Sequence, residues 1–111
     1  MGMSKRARLR QIHRWLEARF PCPRPTVLRF VRDPAVLEAG WTSYAQGDPD
    51  VLLCVNTAYN QHECIMALIE EHAHAEVIAR TAQHTDPWAL AYGRRRHAFD
   101  DKGGAGDSRS Y

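Results

Sequence analysis

Three prolines fall within five residues, Pro21, Pro23 and Pro25, and they divide this chain of 111 residues. Proline has no amide hydrogen, and its ring pushes the preceding residue into extended backbone. No helix can therefore run through residues 21–25. A helix on their N-terminal side must stop there, and the segment on their C-terminal side must start extended. Before them, Leu9, Ile12, Leu16 and Phe20 recur at helical spacing with Trp15 beside them. This pattern predicts a helix over residues 4–19 with arginines on its outer face. After them, residues 26–32 read TVLRFVR, β-branched and aromatic, and predict a strand that Asp33-Pro34 closes.

The same local logic carries on down the chain. Residues 41–45 fit a short second strand between Gly40 and Gly47, and Asp48-Pro49-Asp50 is a turn. Residues 51–55, VLLCV, are a continuous apolar run of strand length, as a central strand buried on both faces would be. A long helix is predicted over residues 61–81, with Ile65, Leu68, Ile69, Ala73 and Val77 as its core stripe. Asp86-Pro87 has the form of a helix start, Asp at N-cap and Pro at N1, for a third helix to about residue 99. The glycine-, serine- and charge-rich residues 102–111 predict a disordered tail after a single domain over residues 1–101. Helix, strands, long helix and short helix in that order predict an α+β domain, with helices packed on a small twisted sheet.

Composition limits the function classes. With 44% hydrophobic residues the chain can bury a modest core. No apolar run approaches the ~18 residues of a membrane span, and no signal-peptide stretch comes after the basic start. Cys22, Cys54 and Cys64 are odd in number and contain no C-x-x-C. That argues against a disulfide framework or a thiolate zinc site and fits a reducing, cytoplasmic compartment. The net charge of +2 is unevenly spread. Residues 1–32 hold nine Lys or Arg against Glu17 alone, and the remainder holds six against twelve acidic residues. The basic end could touch nucleic acid; the ordinary alternative is a solvated helix face.

The chemistry-bearing stretch is Leu68-Ile69-Glu70-Glu71-His72-Ala73-His74-Ala75-Glu76. On a helix, positions i and i+4 share a face and i+1 lies beside them. Residues 70 and 74 can thus share a metal ion while residue 71 reaches a water bound to it. This geometry underlies the H-E-x-x-H signature, from which the chain departs by one letter, Glu70 for the first histidine. A third ligand must come from elsewhere. The metzincin extension is excluded, because Val77 and Arg80 stand where its glycine and histidine belong. His84, in His84-Thr85-Asp86-Pro87-Trp88, is favoured as third ligand, and Asp86 is the alternative. His72 lies about 200° around the helix from His74 and cannot join it on one ion; it is expected to pack on the sheet side or rim the cleft. His13, His62 and His97 read as exposed. Trp15, Trp41, Trp88 and Tyr92 read as core anchors. Arg94-Arg95-Arg96 read as complementing the C-terminal end of the third helix.

With these residues in view, the chain resembles the small zinc metallopeptidases encoded by phages and prophages, related to SprT-like and minimal gluzincin-type families. The resemblance spans roughly residues 8–100. It rests on residues 68–75, on His84, Trp88 and Tyr92, and on residues 9–16 with Phe20-Pro21. It implies a zincin-like fold, one zinc ion held by His74 and His84, Glu71 as the base that activates water, a peptide or protein substrate, and a host-cell cytoplasm. Glu70 leaves two readings. It can ligate, making a Glu70/His74/His84 set of the His₂Glu composition that catalytic zinc accepts elsewhere, or one suited to iron or manganese. Or the metal is lost and the fold serves as a non-catalytic protein binding a host protein or DNA.

Overall fold

The structure is a computed structural model, and it describes residues 2–45, 47–78 and 86–103. Three helices and a three-stranded mixed sheet make an α+β domain in the order α1 (Lys5–Arg19), β1 (Thr26–Val31), β2 (Gly40–Ser43), β3 (Val51–Asn56), α2 (Gln61–Val77) and α3 (Asp86–Asp101). Among the described residues, no helix is long and apolar enough to cross a membrane.

The helix starts are set by local chemistry. The Ser4 hydroxyl accepts from the Ala7 amide at 3.1 Å, and the Asn60 side-chain oxygen accepts from the Glu63 amide at 2.8 Å. Each satisfies one amide that the first turn would leave unpaired. The proline run then does what its chemistry requires. The first helix ends at Arg19, and the chain re-enters regular structure at Thr26 as a strand.

β3 is the central strand, in the order β1-β3-β2. It pairs in parallel with β1 (Thr26 opposite Val51) and antiparallel with β2 (Trp41 opposite Cys54). Val51, Leu53 and Val55 point to one face, where they meet Leu9, Ile12 and Leu16 of α1 and Cys64, Ile65, Leu68 and Ile69 of α2. The predicted stripe of α2 is buried throughout, Ala73 and Val77 included. Since burial of one such aliphatic side chain is worth roughly 1.5–3 kcal/mol, this layer is the main source of stability. α3 packs on α2 rather than on the sheet.

Two features hold the edge strand β2 against α2. Gly40 permits a close approach: a Cβ there would lie 3.0 Å from the Cys54 carbonyl oxygen and 3.1 Å from Ala67 Cβ. The fully buried Asn56 fixes the loop that leads into β2. Its side-chain nitrogen donates to the carbonyls of Asp33 (2.9 Å) and Glu38 (3.3 Å), and its oxygen accepts from the amides of Asp33 and Ala58, both at 3.1 Å.

The predicted elements agree with the structure in kind and order. The third helix runs on to Asp101, so Arg94-Arg95-Arg96 lie in its middle rather than at its end. The expectation that they serve the helix terminus is thereby corrected. The tail from residue 104 on lies outside the described residues.

Candidate active site

Where β2 meets α2 there is an open cleft of about 430 Å³. Glu70, Glu71 and His74 line it from α2, with Glu38, Gly40, Trp41 and Thr42 opposite. The helical spacing thus brings the three sequence-predicted residues of this segment to one surface. Glu71 is 8% exposed. Its Oε1 accepts from the Thr42 hydroxyl at 2.5 Å and lies 3.8 Å from His74 Nδ1. A buried carboxylate held by a short hydrogen bond has a fixed orientation, as proton transfer at a defined place requires. The edge-strand threonine that provides this bond carries no signal in the sequence, because the contact joins residues 42 and 71 across two elements.

His84 lies outside the described residues. Asp86, its alternative, begins α3 and does not line the cleft. Among the described residues no group of three or more His, Cys, Asp or Glu side chains is placed to hold a metal ion, so the 70/74 pair would need a partner from outside the described residues. Near the cleft, Trp88 donates its indole N–H to the Glu70 carbonyl at 3.3 Å and stacks on Tyr92, ring centroids 5.2 Å apart and planes nearly parallel. The two aromatics of the later element therefore tie α3 to the motif-bearing turn of α2.

A second polar cluster lies on the side of α2 that faces α1 and α3. His72, expected to pack on the sheet side or rim the cleft, is fully buried, close to Glu17 of α1, Cys22 and Arg95 of α3. Arg95, also fully buried, donates from Nε to His72 Nδ1 at 2.9 Å and from Nη2 to Glu76 Oε1 at 2.8 Å. Arginine can only donate, so Nδ1 is the acceptor and the ring hydrogen sits on Nε2, which is 3.5 Å from Glu17 Oε1. The Thr26 hydroxyl also donates to Glu17, so His13 must donate its Nε2 hydrogen to Thr26 Oγ1, at 2.7 Å. His13 is accordingly half-buried, not exposed. Both imidazoles carry their hydrogen on Nε2, which leaves neither Nε2 lone pair for a metal. Cys22 Sγ lies 3.7 Å from His72 Nε2. Burial, against the nearby Arg95, pushes its thiol up to about 12, so this Cys–His contact is not a nucleophilic pair.

The network has a consequence for acid stability. Burial first, then Arg95 and His13, push His72 down to about 3, and burial also lowers His13. A histidine depressed in the folded state contributes stability that is complete above its unfolded value near 6.5. That stability is lost as pH falls below 6.5, because only the unfolded chain takes up the proton. Burial raises Glu17, which works the opposite way at lower pH. We expect the urea-unfolding free energy to fall by about 2 kcal/mol from pH 7 to pH 5. A free energy that stays level over that interval would show that His72 is not buried in its neutral form.

Comparison with protein-family models, curated proteins and solved structures returns no match to this chain.

Proposed function

We propose that the chain is a small metal-dependent peptidase built on a zincin-like domain, with Glu71 as its general base. The observation that carries this reading is the cleft itself. Glu70 and His74 line it one helical turn apart, and Glu71 between them is buried and held by Thr42. Glu70 and His74, with His84, would hold one zinc ion, a His₂Glu donor set of the kind catalytic zinc uses. When bound, the ion supplies a Lewis acid for a peptide carbonyl and lowers the pKa of its water. The protein's own contribution is to place a proton acceptor. With Oε1 of Glu71 engaged by Thr42, Oε2 is left to receive a proton and return it to the leaving amine. Trp41 and Gly40, on the exposed edge of the sheet, form the wall along which an extended peptide would lie.

The test is metal content. Protein purified without chelator should contain about one zinc per chain by elemental analysis, the stoichiometry of a three-ligand catalytic site. Glu70→Ala and His84→Ala should each lose it. Metal-free wild-type protein, or full occupancy in both variants, would reject the site and leave the non-catalytic reading of the fold.

A further inference from the structure

The sheet edge opposite the cleft is formed by β1, and α1 lies along it. Arg6, Arg10 and Arg14 fall at i, i+4 and i+8 of α1 and are all exposed. They form a straight row with about 6 Å between successive side chains. Arg6 and Arg10 lie over the Phe30 ring of β1, their guanidinium carbons 5.5 and 5.1 Å from its centroid. Arg32, also exposed, continues the row into a cleft shared with Arg6 and Thr57. Lys5 is committed elsewhere, donating to the carbonyls of Thr57 (2.9 Å) and Tyr59 (2.7 Å). The single acidic residue of α1, Glu17, is turned into the His13–Thr26–His72 network. Among the described residues, Arg6, Arg10, Arg14 and Arg32 take part in no ion pair.

We propose that this arginine row is a sequence-independent binding surface for the phosphodiester backbone of nucleic acid. Four cations along one edge, in no ion pair among the described residues, make a strong local field in a chain whose net charge is only +2. All four are arginine, whose planar fork grips phosphate with two parallel hydrogen bonds. The Phe30 ring holds two of them in place, so less side-chain freedom is lost on binding. A row this regular suits a ligand with regularly repeated charge. Guanidinium contacts to phosphate carry no sequence information, so binding through this row should be indifferent to sequence. The surface lies across the sheet from Glu70, Glu71 and His74, and it stands or falls independently of the peptidase reading.

The experiment is a fluorescence-anisotropy titration of labelled 20-base-pair DNA duplexes of two unrelated sequences with the full chain. Both duplexes should bind equally. With four phosphate contacts the plot of log affinity against log salt should have a slope of about −3.6, a loss of roughly 150-fold from 50 to 200 mM. Arg6→Glu/Arg14→Glu should weaken binding at least about tenfold, and Arg6→Gln/Arg14→Gln should weaken it in the same direction. Arg24→Glu/Arg29→Glu, the same change in net charge at exposed positions off the row, should change it less than about threefold. The proposal is overturned if wild-type protein does not bind, if the two Glu double variants lose affinity equally, or if polyglutamate competes as well as unlabelled duplex.

Discussion

Arg95→Ala is expected to destabilise the fold by about 3–5 kcal/mol, the range for breaking a buried ion pair from one side. In a chain of this size that lowers the Tm by roughly 15 °C, a large part of a typical total stability. The side chain is fully buried and satisfies three acceptors at once: His72 Nδ1, Glu76 Oε1 and the Ala91 carbonyl. Its guanidinium also lies over the Phe20 ring, 4.9 Å from the centroid. Truncation removes these contacts, opens a cavity between α2 and α3, and strands His72 Nδ1 away from water. Arg94 next to it provides the contrast. It pairs with the same carboxylate, Glu76 Oε2 at 2.6 Å, but its side chain is 56% exposed. Arg94→Ala should cost no more than about 1 kcal/mol. Arg95→Lys keeps the charge but cannot reach three acceptors with one ammonium, and should recover only part of the loss. Urea titrations of the three variants check this. Equal, small losses for Arg94→Ala and Arg95→Ala would show that Arg95 is not buried.

The same residue marks what the sequence did and did not reveal. Elements governed by neighbours along the chain were legible. The prolines stop α1, Ser4 begins it, and the apolar run at residues 51–55 became the central strand. The cleft residues of α2 were legible too, because i, i+1 and i+4 on a helix fix their relation without knowledge of the rest of the fold. Arg95 was hidden by Arg94 and Arg96, which make it look like part of a solvated run. Yet Ala91, Arg95 and Phe99 stand at i, i+4 and i+8, and all three are buried. His72 likewise continues the core stripe of Ile65 and Leu68. Both signals were present as periodicity and were outweighed by residue type, since a buried arginine or histidine is uncommon. The partners that make such burial tolerable are distant in sequence: Glu17 on α1 is 55 residues from His72, and Glu76 on α2 is 19 from Arg95. Such pairings are decided by tertiary packing. The Thr42–Glu71 bond and the Asn56 staple belong to the same class.

If the proposed peptidase reading holds, Glu71→Gln is expected to lower the rate of peptide hydrolysis by about 10²–10⁴-fold while leaving zinc content and Tm close to those of the wild type. The amide has the size of the carboxylate, and its oxygen can still accept from the Thr42 hydroxyl. What it loses is the ability to take a proton from water. Because Glu71 is buried against Gly40 and Thr42, the replacement stays in the same orientation, and a packing defect should not be confused with a chemical one. Thr42→Val tests the orientation separately. The carboxylate remains but loses its fixed partner, so the rate should fall by roughly tenfold, an effect of about 1.4 kcal/mol on the barrier. Glu70→Ala should abolish both rate and metal together. Hydrolysis of a labelled unstructured protein such as casein, measured alongside metal content, separates the three. A Glu71→Gln chain that hydrolyses peptide at the wild-type rate would remove this glutamate from the reaction. The same rate in Glu70→Ala would remove the cleft with it.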